Sequence, residues 1–302
     1  MRGLNLDQLR SFCEVIQAGS FSAAAARLNL TQPAVSLQIR QLEARLGVRL
    51  IERVGRRATP TLAGADLLAY AGQIEAAVAT AVEAMAEHAT GTIGRVRLGT
   101  GATACIYLLP PVLRALRRRF PSLEIVVSTG NAVDVLRLLE ENALDLGLVA
   151  LPAPGRAFAV TPLLEEEFVA VAPVEADDLP PEITPAVLAQ RPVVLYEPGG
   201  QTRRIVDDWF AAAGISLKPA MALGSVEAIK ELVGAGLGCA VLPRMAMPPG
   251  ETRLVAHSLS PRLYRRLGLV LRRDKPLTRG LREMIAALQQ AAPGSLTGPV
   301  AS

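Results

Sequence analysis

The 302 residues amount to about two domains at roughly 150 residues each, and half of them (50%) are hydrophobic, so each domain can bury a core without disulfides or metal. Three cysteines with no Cys-x-x-Cys spacing argue against a secreted disulfide scaffold and a structural zinc site, and two histidines leave little for metal or Ser-His catalysis. No catalytic residue, metal or cofactor is therefore expected. The charge-free stretch 98–113 is broken by Gly99, Gly101, Pro110 and Pro111, so no transmembrane span is expected, and acids and arginines within the first thirty residues exclude a signal peptide. The expected location is the cytoplasm, with no membrane partner.

The net charge of +4 is uneven along the chain. Residues 1–60 carry nine arginines against four acids, residues 61–90 carry four acids and no Lys or Arg, and the remainder is mildly basic. A basic head followed by an acidic, alanine-rich segment suggests a nucleic-acid module joined to something else.

Leu6, Leu9, Phe12, Cys13 and Ile16 recur on one helical face, with Asn5 as N-cap and Gly19 as stop. Ser22 is expected to cap a second helix over 23–28, with Asn29 and Leu30 as the turn. Thr31 caps a third helix with Pro33 in its first turn, where a missing N–H costs nothing. Val35, Ile39, Leu42 and Leu46 are expected inward, and Gly47 ends the helix. Two short helices, a tight turn and a third helix with a polar face match the arrangement that seats a recognition helix in a major groove.

Gln32, Ser36, Arg40 and Gln41 lie on that polar face, with Gln38 nearby; Gln and Arg can make bidentate contacts with adenine and guanine edges. Pro33 at the helix start can lie against a thymine methyl or let amides approach a phosphate. Residues 49–59 read as a strand, a Gly turn and a return, a wing that would place Arg53, Arg56, Arg57 and the Thr59 hydroxyl beside the DNA backbone. The alternative is a solvated helical bundle with ordinary surface arginines.

The string FSAAAARLNLTQPAVSLQIRQLEARLG at 21–47, extended by the wing pattern at 50–64, resembles the DNA-binding signature of the LysR-type transcriptional regulators. That resemblance implies a multi-domain fold over residues 4 to about 292: an α-helical winged helix-turn-helix head, a long linker helix and an α/β two-lobed, periplasmic-binding-protein-like effector domain. It implies double-stranded DNA at a promoter or operator as one partner and a small-molecule effector as the other.

Residues 62–88 are built of good helix formers. Leu67, Ala71, Ile74, Val78, Ala81 and Met85 follow the a/d repeat of a coiled coil. The expected partner for that face is the same helix of a second chain, giving a homodimer or homotetramer; the alternative is packing on its own head or body, and the two can be combined. Residues 90–94 read as a hinge.

From residue 96 strands and helices alternate: strands at 96–99, 123–128 and 144–151, helices at 111–120 and 133–141, then strands at 168–172, 193–196, 220–223 and 239–242 with helices after Thr184-Pro185, at 202–213 and at 226–235. A strand at 267–271 and a helix at 277–290 close the chain. This order implies a parallel sheet. The expected domains are a DNA-binding head at 1–61, a linker helix at 62–90, an effector domain at 91–292 and a disordered tail at 293–302. By the resemblance, lobe I takes about 95–162 and 264–292 and lobe II about 163–263, with crossings near 162 and 264. The acidic run 165–167 is expected to be a solvated loop.

Ligands of open α/β sheets sit beyond the strands' carboxyl ends, beside helix N-termini. Thr103, Thr129, Asn131, Gln201, Thr202 and Ser225 lie at such places, and their hydroxyls and amides suit a small carboxylate or other anion. The resemblance gives Thr103, Gln201 and Thr202 positions used for inducers; each residue singly also suits an N-cap.

Two decoys are weighed against this. Residues 99–104 fit the G-x-G-x-x-A dinucleotide fingerprint, with Glu124 near the place of a ribose-binding acid, but Pro110 and Pro111 cut the helix the motif requires. Cys105 and Cys239 allow a redox sensor, although buried cysteine more often acts as a small hydrophobe, as Cys13 is expected to. The alternative function is a cytoplasmic small-molecule-binding α/β protein or nucleotide-dependent enzyme with a basic helical head.

Overall fold

The computed structural model describes residues 4–54, 57–90, 93–176, 179–180 and 182–292. Its backbone divides into two compact units, residues 1–85 and 86–302. The boundary falls within the long helix that spans residues 62–90.

In the first unit, α1 (Leu6–Ala18) starts on Asn5, whose side chain accepts from the amides of Asp7 and Gln8, and stops at left-handed Gly19. The second helix, α2 (Phe21–Leu28), is capped by Ser20, which accepts from the Ala23 amide; Ser22, the expected cap, lies inside it. Asn29 turns the chain in the left-handed region. Thr31 caps α3 (Gln32–Leu46), and Gly47 closes it. Val35, Ile39 and Leu42 are buried as expected, whereas Leu46, in the last turn of α3, is exposed. Strands β1 (Ile51–Val54) and β2 (Arg57–Pro60) pair antiparallel as the wing.

The linker helix α4 (Leu62–Thr90) uses its apolar stripe in two ways. Ala71 is fully buried, and Leu67 and Ile74 pack with it against Leu9, Phe12 and Leu42 of the head. Val78, Ala81 and Met85 are exposed, as is Val82 next to Ala81. The first half of the predicted seam therefore belongs to the chain's own head, and the second half is open. Residues 91–92 of the predicted hinge and the tail 293–302 lie outside the described residues.

The second unit contains β3 (Arg95–Thr100), α5 (Ala102–Tyr107), α6 (Leu109–Arg119), β4 (Glu124–Thr129), α7 (Ala132–Glu140), β5 (Leu146–Ala150), β6 (Phe158–Pro173), α8 (Pro185–Ala189), β7 (Val193–Tyr196), α9 (Gln201–Ala212), β8 (Met221–Leu223), α10 (Val226–Gly234), β9 (Cys239–Pro243), β10 (Leu254–Arg272) and α11 (Arg279–Ala291). The strands hydrogen bond in the order β4-β3-β5-β10-β6-β9-β7-β8. The sheet is mixed and not parallel throughout, because β10 runs antiparallel to both β5 and β6, and β6 runs antiparallel to β9.

The strands β6 and β10 carry the two-lobed design. The end of β10 (Leu267 to Val270) pairs with β5 in one lobe, while the end of β6 (Phe168 to Val171) pairs with β9 in the other. Both crossings are thus continuous strand, with a register shift between Leu267 and Gly268. Residues 165–167, expected as a solvated loop, lie within β6 opposite Arg266, Arg265 and Tyr264. A run of three acids reads as loop only until its partner strand supplies arginines.

Each half-sheet is covered on both faces, as an α/β fold requires. In lobe I, α6 and α11 pack through Leu116, Leu281, Met284 and Leu288 on one face, and α7 through Val135 and Leu139 on the other. Gly99 is needed here, since a Cβ at that position would meet Leu144 Cδ1 at 2.4 Å and Val135 Cγ1 at 2.9 Å. In lobe II, Val206, Trp209 and Phe210 of α9 cover one face and Val226, Ile229 and Val233 of α10 the other.

Candidate functional site

The head presents α3 as its polar surface. Gln32, Pro33, Arg40 and Gln41 are exposed and Ser36 half-buried, with Gln32 Nε2 donating to Ser36 Oγ at 2.8 Å. Gln38 is turned differently: half-buried, it accepts from the Ser11 hydroxyl of α1. Gln41 Oε1 likewise accepts from Gln8 Nε2 at 2.8 Å, so these two amides tie α3 to α1. Gln32, Ser36 and Arg40 thus share the outward face, and Gln38 is oriented back toward the head.

The wing is anchored to this helix by a residue that sequence reasoning missed. Glu43 Oε1 accepts from the amides of Leu50 (2.8 Å) and Ile51 (3.3 Å), fixing the start of β1 against α3. Its signal in the sequence was only an acid on a basic face. Arg57 is exposed, and its Nε lies 3.2 Å from where a Cβ on Gly19 would sit, at the C-terminal end of α1 where a cation is favoured. The Thr59 hydroxyl reaches Glu52 O across the hairpin at 3.5 Å. Arg53 occupies β1, and Arg56 lies outside the described residues.

In the second unit the carboxyl ends of β3, β4, β5, β7 and β8 converge on one cleft of about 450 Å³ between the lobes. Thr103, Thr129 and Asn131 line it from lobe I, and Gln201 and Thr202 from lobe II. Ser225 is not part of the wall: its hydroxyl accepts from the Ala228 amide and caps α10. Asn131 lines the cleft while capping α7 through the Asp134 amide at 2.9 Å, so the cap and site readings coexist there. Helix α9 begins at Gly200 without a side-chain cap, and Gly200, Gln201, Thr202 and Arg203 line the cleft, so its first amides lack a side-chain acceptor there.

Two residues of the wall were not anticipated. Arg265 of β10 is buried; its guanidinium contacts Glu166 Oε2 of β6 at 2.7 Å and donates to Thr202 Oγ1 at 3.0 Å. Burial raises the Glu166 carboxyl above its usual range, against the opposing pull of Arg265. Tyr196, at the end of β7, has a buried Oη without a hydrogen bond of ordinary geometry among the described residues, its polar neighbour being Thr103. Burial pushes that phenol up to about 12, so it stays protonated and able to donate. No local pattern marks either residue, because the cleft arises from pairings of strands far apart in sequence.

The dinucleotide reading resolves on the same geometry. Helix α5 lasts six residues before α6 opens with Pro110 and Pro111 in its first turn, and Gly99 answers to core packing and not to a pyrophosphate. Cys239 is buried with its Sγ 3.6 Å from Pro192 O, and burial raises the Cys13 thiol to about 11. Among the described residues no helix is long and apolar enough to cross a membrane.

The sequence matches the family described as bacterial regulatory helix-turn-helix protein, lysR family, over residues 6–65, and the LysR substrate binding domain over residues 89–293. It is 34% identical over 289 residues to the HTH-type transcriptional regulator YeiE of Escherichia coli K12, covering 93% of this chain and 96% of that one. Among solved structures, hydrogen-peroxide-bound OxyR of Corynebacterium glutamicum is 28% identical with a TM-score of 0.60, over 95% of this chain and 92% of that one. The fold is also shared with full-length CbnR complexed with its target DNA (21% identity, TM-score 0.71, 96% and 100% covered). A head with a polar recognition helix and wing, a linker helix and a two-lobed α/β body therefore combine in a chain that belongs to the LysR family of DNA-binding transcriptional regulators.

Proposed function

We propose that this regulator, acting in the cytoplasm, responds to a small anionic effector held in the cleft between lobes I and II. The reading is carried by the uncapped N-terminus of α9, facing the same cleft as Arg265, Thr103 and Thr202. Amides at a helix N-terminus and a buried guanidinium are both complementary to negative charge. Binding shifts the balance between lobe arrangements only insofar as the effector favours one of them.

In this reading Gln32, Ser36 and Arg40 read bases in a major groove, with Pro33 at the helix start. Arg53, Arg56, Arg57 and Thr59 hold backbone. The open half of the α4 stripe, Val78, Val82 and Met85, is covered by the same helix of a second copy, which supplies the second head. A nucleotide-dependent enzyme is set aside, because the family and its relatives regulate transcription.

Selection of bound duplexes from a random-sequence pool by the full chain tests the whole reading. The expected product is a pair of half-sites about one helical turn, or a multiple of it, apart. Its affinity should fall with salt and change in the presence of at least one small carboxylate, phosphate or sulfate. Recovery of single half-sites removes the paired heads, and indifference to every anion removes the effector reading.

A further inference from the structure

Lobes I and II are joined by more than the strands β6 and β10. Helix α5 belongs to lobe I by sequence, yet its last residue, Tyr107, packs with Val226, Ile229 and Val233 in the core of lobe II. There its hydroxyl donates to Glu227 Oε1 and accepts from Lys230 Nζ at 3.0 Å. Lys230 is buried, with its ammonium 3.4 Å from Glu251 Oε2, 3.8 Å from Glu227 Oε2 and 5.4 Å from the Tyr107 ring centroid. A buried ammonium is tolerated only with such a set of partners, and losing one leaves charge or a polar group uncompensated.

The same six-residue helix carries Thr103 near its other end, in the wall of the cleft. Tyr196, also in that wall, packs against the same lobe II cluster as Tyr107. One rigid turn-and-a-half of helix therefore touches the cleft at one end and the opposite lobe at the other. Met245 makes the reciprocal contact, packing from lobe II against the core of lobe I.

We propose that Tyr107, Glu227, Lys230 and Glu251 form a latch between the lobes, and that Tyr107 and Lys230 are positioning residues that set the seat of α5 and with it Thr103. An effector that shifts Thr103 or Tyr196 loosens or tightens this latch, while β6 and β10 act as the continuous strands about which the lobes move. The coupling to effector rests on the proposed role of the cleft; the latch itself does not.

The test is hydrogen exchange on the full chain without added ligand, followed amide by amide. Tyr107→Phe removes one hydroxyl and should raise exchange in residues 102–107 and at the start of α10 about tenfold, the scale of one hydrogen bond to a charged group. Protection in β6 and β10 should stay unchanged. Lys230→Met should do the same, with an increase in the radius of gyration by small-angle scattering, and Lys230→Arg should restore most of the protection. Unchanged exchange in α5 for Tyr107→Phe overturns the latch. So does loss of protection throughout the sheet, which would make the cluster an ordinary core contact; if Lys230→Met does not fold, Glu251→Gln is read by the same criteria. An intact latch response together with an anion-indifferent cleft would fail the effector reading alone.

Discussion

The head and the body solve the problem of placing polar groups in opposite ways. The head puts Gln32, Ser36 and Arg40 on the outer face of one fifteen-residue helix, so the order of the side chains is set by helical periodicity alone. The body assembles its cleft from the ends of five strands and from a cross-strand pair, Arg265 and Glu166, separated by 99 positions in the chain. Local chemistry builds the first site, and sheet topology builds the second. The head should accordingly tolerate surface changes with local consequences, whereas the body should transmit a single buried change across both lobes.

The largest effect expected from breaking this contrast is at Asp145. It accepts from the Arg97 amide and side chain (2.7 to 3.1 Å) and lies 2.6 Å from Lys275 Nζ, joining β3 to the segment after β10. Burial alone would raise its carboxyl, but hydrogen bonds from Arg97 and Lys275 hold it below the usual carboxylate range. Asp145→Asn should lower body stability in urea by about 3–5 kcal/mol and leave the head's transition in place. Because the folded pKa is depressed, Asp145 contributes stability fully above its unfolded value, near 4. That contribution is lost as the pH falls through the folded value, so wild type should lose body stability in acid more steeply than the variant. Joint unfolding of head and body in Asp145→Asn would dissolve the contrast.

Next comes the open half of α4. Val82→Asp places a charge in the proposed seam and should weaken self-association by about tenfold or more in sedimentation, since a charge buried without a partner is costly. An unchanged association state would place the interface elsewhere.

Within the head, Arg40→Ala should cost about 1–3 kcal/mol of discrimination between selected and random DNA. Arg57→Ala should weaken both duplexes alike, as a backbone contact does. Fluorescence anisotropy on the two duplexes separates the roles, and equal behaviour of the two variants sinks their assignment. The smallest effect sharpens the local end of the comparison: Ser20→Ala should reduce head stability by about 1 kcal/mol and Ser22→Ala by far less, because Ser20 alone caps α2.

The same contrast explains what could be read from the sequence. The caps Asn5 and Thr31, the stops Gly19 and Gly47, and the buried faces of α1 and α3 all follow from neighbours within a few residues. Thr103, Thr129, Asn131, Gln201 and Thr202 were legible as strand-to-helix turns, and the sheet brings all five to one cleft. Arg265, Glu166 and Tyr196 were not, since their meaning depends on strand partners and not on their own segments. Glu165, Glu166 and Glu167 show the failure clearly: alone they resemble solvated loop, yet in place they form ion pairs with Arg266, Arg265 and Arg262 of β10 and with Arg244 just after β9. Ser225 is a small polar residue at a helix start whose hydroxyl caps α10, a role its own segment makes legible.

The central claim is that the cleft binds a small anion. It is tested most directly by following the body's melting transition across small carboxylates, phosphates and sulfates, for wild type beside a Thr202→Trp variant whose indole fills the cleft. A ligand at 100 times its Kd stabilises by about 2.7 kcal/mol, a shift of a few degrees for a unit of this size. At least one anion should raise the wild-type transition and leave Thr202→Trp unmoved; a flat response in wild type, or equal shifts in both proteins, would contradict the account.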